Sequence, residues 1–190
     1  LTNVRIIRQS NQGKAAALNR AIRYASGEIL VALDADTLFL PDTIGNLIQP
    51  FANPRIGAVA GNVKVGNLVN VLTRWQAIEY ITSQNLDRRA YALLNAVTVV
   101  PGAAGAWRRE AVVQAGGYQS DTMAEDMDLT WRLRRKGWRI ATANCAIALT
   151  EAPDTLKGLF RQRFRWAYGT LQCLWKHRSA LGRYGWFGWL

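Results

Sequence analysis

Four clusters of residues in this chain could do chemistry. Asp34-Ala35-Asp36 follows the nearly continuous apolar run Glu28 to Leu33. Two carboxylates one residue apart at a strand end can hold a hard divalent cation through oxygen, leaving other positions for water and phosphate. A solvated strand-end turn would use the same residues. Glu125, Asp126 and Asp128 open a helix, whose positive end favours negative charge. Ordinary capping explains them; so does a general base at Asp126, because a carboxylate suits removal of a hydroxyl proton where burial raises its pKa. Gln162-Arg163-Phe164-Arg165-Trp166 combines a two-pronged phosphate binder, an amide and a ring that can stack on a sugar. The same pattern also makes a basic helix lying on a membrane. In Asn11 to Asn19, Gly13-Lys14 at a helix start suits a phosphate contact. It is no P-loop, since the second glycine spacing and the Ser/Thr after the lysine are absent.

The elements that must position these clusters follow from periodicity. Val4 to Ile7 reads as a short strand. Lys14 to Ala25 has helical spacing and is stopped by Ser26-Gly27. Glu28 to Leu33 has the pattern of a buried parallel strand. Pro41 opens a helix with Ile44, Leu47 and Ile48 inward, and Ile56 to Val65 is the next strand. Asn67 to Leu94 predicts one long helix, and Ala96 to Val100 a strand running into the loop Pro101 to Gly105. Arg109 to Ala115 and Glu125 to Lys136 are helices closed by glycine, Trp138 to Ala143 is a strand, and Thr155 to Lys176 is a helix. This alternation predicts an α/β fold with a largely parallel sheet.

Composition narrows the class. The chain has 190 residues, 49% of them hydrophobic, so it can bury a core. One histidine argues against His-rich metal sites and a Ser-His-Asp mechanism. Cys145 and Cys173 read as two reduced thiols. The formal net charge is +11, with 24 basic and 13 acidic residues. Residues 155–190 hold Lys157, Arg161, Arg163, Arg165, Lys176, Arg178 and Arg183 with no acid, and are rich in tryptophan. Such a tail suggests an anionic partner: nucleic acid, a phosphorylated ligand or a membrane surface. Ala90 to Trp107 is uncharged but broken by Pro101-Gly102, so no spanning segment is expected. The aromatic cluster Tyr184 to Leu190 could begin one.

In order and spacing, the GKAxALN helix, DxD after an apolar strand, the ED pair and QxxRW together resemble the family 2 glycosyltransferases. They look like the processive branch that includes cellulose, chitin, hyaluronan and poly-N-acetylglucosamine synthases. The resemblance runs from Asn11 to Trp166 and into the tail. It implies a GT-A, Rossmann-like fold that binds a nucleotide-sugar. Asp36 would then coordinate Mg²⁺ or Mn²⁺ on the diphosphate, with Asp34 assisting and contacting the nucleotide. Lys14 would lie on the nucleotide side. Asp126 would be the catalytic base, with Glu125 beside the acceptor. Gln162 and Arg165 would bind the diphosphate, and Trp166 would floor the acceptor sugar. The loop containing Gly102 would approach the acceptor's terminal sugar.

The implied activity is inverting transfer from a UDP-sugar, N-acetylglucosamine before glucose, to a growing β-linked polysaccharide. The implied place is the cytoplasmic face of the cell membrane, with no nucleic-acid partner. Residues 1–154 would form the catalytic core and 155–190 an interfacial segment. The family's first strand and its acidic turn should lie well before Asn11, so the core is expected to lack its first βαβ segment. Two other functions remain open. Leu30 to Thr37 resembles the nucleophile strand of haloacid-dehalogenase-type phosphatases, with Asp34 attacking phosphorus. The acid-free tail alone also suits a basic membrane- or nucleic-acid-binding module.

Overall fold

A computed structural model describes residues 4–189, the side chains of 83 and 84 excepted. Leu1 and Leu190 lie outside the described residues. Five strands form one sheet in the order β1-β4-β3-β5-β2. The strands are β1 (Ile29–Ala32), β2 (Thr37–Phe39), β3 (Ile56–Val65), β4 (Gly105–Arg108) and β5 (Arg139–Thr150). Seven α-helices accompany them: α1 (Lys14–Tyr24), α2 (Thr43–Ile48), α3 (Val71–Glu79), α4 (Asp87–Leu93), α5 (Arg109–Gln114), α6 (Glu125–Arg135) and α7 (Leu156–Lys176).

The sheet is mixed, which corrects the expectation of a largely parallel one. Only β3 and β5 run parallel. The β1–β4, β3–β4 and β2–β5 pairs are antiparallel. The reason is β4, whose short Gly-Ala-Trp-Arg sequence carries little strand signal yet inserts between β1 and β3. Glu28 to Leu33 does supply a strand, but β1 is half-buried and antiparallel. Val4 to Ile7 is no strand; Val4 and Ile6 are exposed. Ala96 to Val100 is irregular backbone with Ala96, Val97 and Val100 fully buried, so its apolarity marks core and not a strand. On α2, Leu47 is buried but Ile44 and Ile48 are exposed. Trp138 to Ala143 extends to the longer β5, with a register shift against β3 between Gly61 and Asn62.

The core explains the strand order. Successive side chains of a strand point to opposite faces. Ala58 and Ala60 of β3 therefore join Trp107, Val112, Leu129 and Leu133 under α5 and α6. Val59 faces the other way, onto Leu47, Phe51 and Ala106 under α2. Small residues on β3 let the helices come close. A side chain at Gly57 would collide with Trp138, its Cβ only 2.7 Å from that residue's Cβ.

The predicted long helix over 67–94 is present as unbroken helical backbone from Val71 to Leu93, with a change of pitch in its middle. Asn70 caps α3, accepting a bond from Thr73 N at 2.9 Å, while Thr73 Oγ1 accepts one from Asn70 N at 3.1 Å. Residues Tyr80–Leu86 then form a π-helical segment that passes into α4. Such segments favour functional sites, because the extra residue re-aims the side chains that follow. At the other end of the chain, Thr155 caps α7 by accepting from Gly158 N at 3.2 Å. Among the described residues no helix is long and apolar enough to cross a membrane, and both cysteines are free thiols.

Candidate active site

The acidic and basic clusters come from four places in the fold. The turn after β1 carries Asp34 and Asp36, α1 starts at Lys14, and α6 starts at Glu125. One turn of α7 brings Gln162, Arg165 and Trp166. All of these residues, together with Gly102, line a single cavity of about 500 Å³.

Lys14 ties two of the clusters together. Its Nζ lies 2.5 Å from Asp34 Oδ1 and 3.5 Å from Glu125 Oε1. Burial works against its charge, but the hydrogen bond and charge of Asp34, with Glu125 and Asp126 beyond, outweigh that and raise its pKa. Gly102 lies directly against this pair. A Cβ there would stand 2.6 Å from Lys14 Nζ.

Asp126 is held by the backbone. Gly102 N donates to Oδ2 at 3.2 Å and Met127 N to Oδ1 at 2.8 Å. The Thr130 hydroxyl donates to the Asp126 carbonyl at 2.7 Å and accepts from Val100 N at 3.0 Å, which fixes the irregular strand-like segment to α6. Part of the Asp126 side chain opens to the cavity. Its surroundings are otherwise protein. Burial, then the neighbouring Glu125 charge, raise its pKa; the two backbone bonds and Lys14 only partly offset this. A carboxylate raised in this way is a better base than an ordinary aspartate.

The acids of α6 divide into two kinds. Ala124 at the cap makes no side-chain capping bond. Asp126 faces the cavity. Asp128 points away from it, fully buried, and takes no part in the site.

On α7, Arg165 is exposed at the cavity rim. Gln162 is half-buried, and its Oε1 is buried with no hydrogen-bond partner in the protein. Trp166 lies 6.5 Å from the Tyr80 ring, and the Arg163 guanidinium sits 4.6 Å over its face. Arg163 is itself pinned by Glu79 Oε2 at 2.6 Å. Arg163 thus buttresses Trp166, a part that sequence pattern alone did not assign. Glu79, Tyr80, Arg88, Tyr91 and Thr98 also line the cavity. No motif marks them. The nearest sequence signal is the polar residue spacing inside an otherwise apolar helix.

The cavity thus lies at the rim of a mixed α/β sheet and joins acids to a basic, aromatic wall. The chain belongs to the family described as glycosyltransferase-like family 2, whose model matches residues 1–169. Poly-beta-1,6-N-acetyl-D-glucosamine synthase of Staphylococcus aureus (strain COL) is 37% identical over 162 residues, covering 85% of this chain and 39% of that protein. The synthase of the same name from Staphylococcus epidermidis is 34% identical over 160 residues, covering 84% and 39%. The chain therefore spans about two fifths of the length of these relatives. A mannosyltransferase from Pyrobaculum calidifontis, solved with GDP-Man and Mn²⁺, superposes with a TM-score of 0.71 at 28% identity, over 89% of this chain and 44% of that one. Glucosyl-3-phosphoglycerate synthase from Mycobacterium tuberculosis, solved with Mn²⁺, UDP-glucose and phosphoglyceric acid, shares the fold. Its TM-score is 0.54 at 21% identity, over 86% and 56%. The fold is the GT-A type that the motif order implied.

Proposed function

We propose that this chain is the catalytic core of an inverting transferase that moves a sugar from a UDP-sugar to a growing β-linked polysaccharide. N-acetylglucosamine is the first choice of sugar and glucose the second. One observation carries the reading. Asp126, a carboxylate with raised pKa, lines the same cavity as the Lys14–Asp34–Asp36 group and the Gln162–Arg165–Trp166 wall.

Asp34 and Asp36 are two hard oxygen donors that would hold a divalent cation, with Lys14 Nζ standing 2.5 Å from Asp34 Oδ1. Asp34 and Asp36 present carboxylate oxygens at the cavity wall, and Asp36 is exposed with one neighbouring donor, Thr37 Oγ1 at 3.3 Å. A Mg²⁺ or Mn²⁺ ion held by these two residues would neutralise charge on a diphosphate. Both structural relatives named above were solved with Mn²⁺.

The chain's own residues supply the rest. Arg165 at the rim donates to diphosphate oxygens and stabilises the charge that builds on the leaving group. Lys14 adds a second cation on the nucleotide side. Trp166, braced by Arg163, offers its face to the acceptor sugar. Asp126 takes the proton from the acceptor hydroxyl as that oxygen attacks the anomeric carbon and the diphosphate leaves from the opposite side. A single displacement inverts the centre, so an α-linked donor gives a β-linkage.

The membrane forms part of the same reading. Leu156, Phe160, Phe164, Tyr168, Leu171 and Trp175 make an exposed apolar stripe along α7, at helical spacing. Val71, Trp75 and Ile78 are exposed on α3. With the exposed Lys157 and Arg161 beside it, the stripe suits the cytoplasmic face of an anionic membrane. Residues 155–190 then serve as the interfacial segment of a core spanning 1–154.

The test is incorporation of label from UDP-N-acetylglucosamine or UDP-glucose into polymer by membranes expressing the full-length protein, with Mn²⁺ or Mg²⁺. Polymer digestible by a β-specific glycosidase supports the reading. Release of phosphate from phosphomonoesters through an Asp34 adduct, without polymer, would return Asp34 to the phosphatase role.

A further inference from the structure

The inner end of the cavity holds a charge for which the proposed reaction has no use so far. Arg88 is only 7% exposed, yet it lines the same cavity as Asp126. Its hydrogen bond runs from Nη1 to the Gly61 carbonyl at 3.3 Å. It forms no salt bridge among the described residues. The Asp126 carboxylate is the charge that acts on it. Burial pushes its pKa down to about 10, so it stays a cation at neutral pH.

A guanidinium has five N–H donors and no acceptor. Burying such a charge without a partner is costly, and buried charges normally have one. The fold spends two irregularities on placing it. The π segment Tyr80–Leu86 ends just before Arg88 and sets the phase of α4. The register shift of β3 at Gly61–Asn62 lies at the carbonyl that Arg88 touches. Asn85 Nδ2 locks the two together, donating to the Tyr80 carbonyl at 2.8 Å and the Val63 carbonyl at 3.2 Å. Bulges and π turns of this kind re-aim side chains beside active sites.

The neighbours decide what the free donors can take. Val63, Tyr80 and Tyr91 line the cavity with Arg88. A cavity that holds both guanidinium donors and apolar side chains complements a group that carries both a carbonyl oxygen and a methyl. A bare hydroxyl satisfies the donors but leaves the apolar wall unfilled. A free amine, protonated at neutral pH, is repelled by the guanidinium. We propose that Arg88 reads the 2-acetamido group of the donor sugar, donating to its carbonyl oxygen while Val63, Tyr80 and Tyr91 enclose its methyl. This rests on the transferase reading above and makes Arg88 a specificity residue within it.

Two variants of the full-length protein test it, Arg88→Met and Arg88→Lys. The readout is the ratio of kcat/KM for UDP-N-acetylglucosamine to that for UDP-glucose, alongside UDP affinity by calorimetry. The wild type is expected to prefer the acetamido sugar by about tenfold or more. Arg88→Met should bring the ratio to within about threefold of unity and leave UDP affinity within about twofold. Arg88→Lys keeps the charge but loses the fork, and should fall between. An unchanged ratio in either variant overturns the proposal, as does equal loss of both donors with UDP affinity intact. If Arg88→Met does not fold, the lysine variant decides by the same ratio. Saturation-transfer NMR on UDP-N-acetylglucosamine needs no turnover. The acetyl methyl should saturate strongly in the wild type and weakly in Arg88→Met, and equal saturation overturns the assignment. A wild type that saturates the methyl but makes no polymer overturns the polymerase reading while leaving the acetamido contact standing.

Discussion

His177 Nε2 lies 2.8 Å from Asp128 Oδ1, and both side chains are cut off from water. The other ring nitrogen, Nδ1, lies 3.0 Å from Arg135 Nη1, which can only donate. The ring is therefore neutral, with its proton on Nε2 and donated to Asp128. Lys176 Nζ at 2.8 Å and Arg132 Nε at 2.8 Å complete the ring of donors around this acid. The cluster ties the C-terminal end of α7 to α6, two residues beyond the Asp126 base.

Burial alone would raise the Asp128 pKa, but His177, Lys176 and Arg132 together hold it far below the carboxylate range. A depressed acid contributes stability above its unfolded pKa, and that stability is lost as pH falls through the folded value. The contribution should be complete at about pH 5 to 7 and shrink progressively as pH falls below about 4. Asp128→Ala removes the buried acceptor that His177, Lys176 and Arg132 share and should cost about 3 kcal/mol at neutral pH. Urea unfolding at pH 7 and pH 3 checks both statements. The variant's deficit should be smaller at the lower pH.

Asp126 has the opposite sign. Its pKa is raised, so its ionised form works against folding, and stability is lost as pH rises through the folded value. Asp126→Asn should be at least as stable as the wild type at pH 7. It should lose transfer by about 10³-fold while UDP binding is retained. The acid limb of the wild-type rate profile should lie above the ordinary aspartate range, since the base must be ionised. Lys14→Ala removes a cation that holds that pKa down and should move the limb to higher pH. Transfer surviving in Asp126→Asn would remove the residue from the base role.

Much of this site was legible in the sequence because its acids and cations sit at element ends. Lys14 begins a helix, Asp34 and Asp36 follow a strand, and Glu125-Asp126 open a helix, so each was found where periodicity broke. Helices α1, α6 and α7 and strand β3 were legible for the same reason. The sheet's direction was not. Alternating strand and helix patterns imply parallel pairing, but β4 lies in a segment of small residues and reverses its neighbours. Arg88 was hidden too. In Asp87-Arg88-Arg89 it reads as solvated charge on a helix, and nothing in one sequence announces a π turn.

Gly169 sets the distance between α7 and the loop before α6. A Cβ there would stand 2.8 Å from the Ala124 Cβ and 2.9 Å from its backbone N. Backbone cannot yield as a flexible side chain can. Gly169→Ala therefore gains helix propensity but overpacks the contact, and the net expectation is a loss of about 1–2 kcal/mol. Gln162, Arg165 and Trp166 ride on the same helix, so KM for the donor should rise with it. Thermal unfolding and donor KM measured together show whether both move.

Arg165 is exposed at the rim and, among the described residues, is bonded to no group that would hold it there. A charge-assisted bond to phosphate contributes roughly 1.5–3 kcal/mol. Arg165→Ala should weaken UDP binding by at least about tenfold, and Arg165→Lys should recover only part, because lysine lacks the two-pronged geometry. Calorimetry with UDP and Mn²⁺ measures it. Equal affinity in the wild type and the alanine variant would place Arg165 among the membrane-facing cations.

The α7 stripe gives the last prediction. Phe160 is 71% and Trp175 73% exposed, and they lie along one side of a helix whose opposite side carries Gly169 and Cys173 inward. Covering an aromatic side chain with lipid gains roughly 1.5–3 kcal/mol. Placing a glutamate at either position forfeits that gain and adds repulsion from anionic headgroups. Phe160→Glu or Trp175→Glu should lower partitioning onto phosphatidylglycerol vesicles by about tenfold or more, while UDP affinity holds, because neither residue lines the cavity. Added salt should weaken the wild type's binding only in part, since screening acts on Lys157 and Arg161 and not on the apolar stripe. Binding that vanishes wholly with salt, or that ignores both glutamates, would leave the stripe without a membrane role.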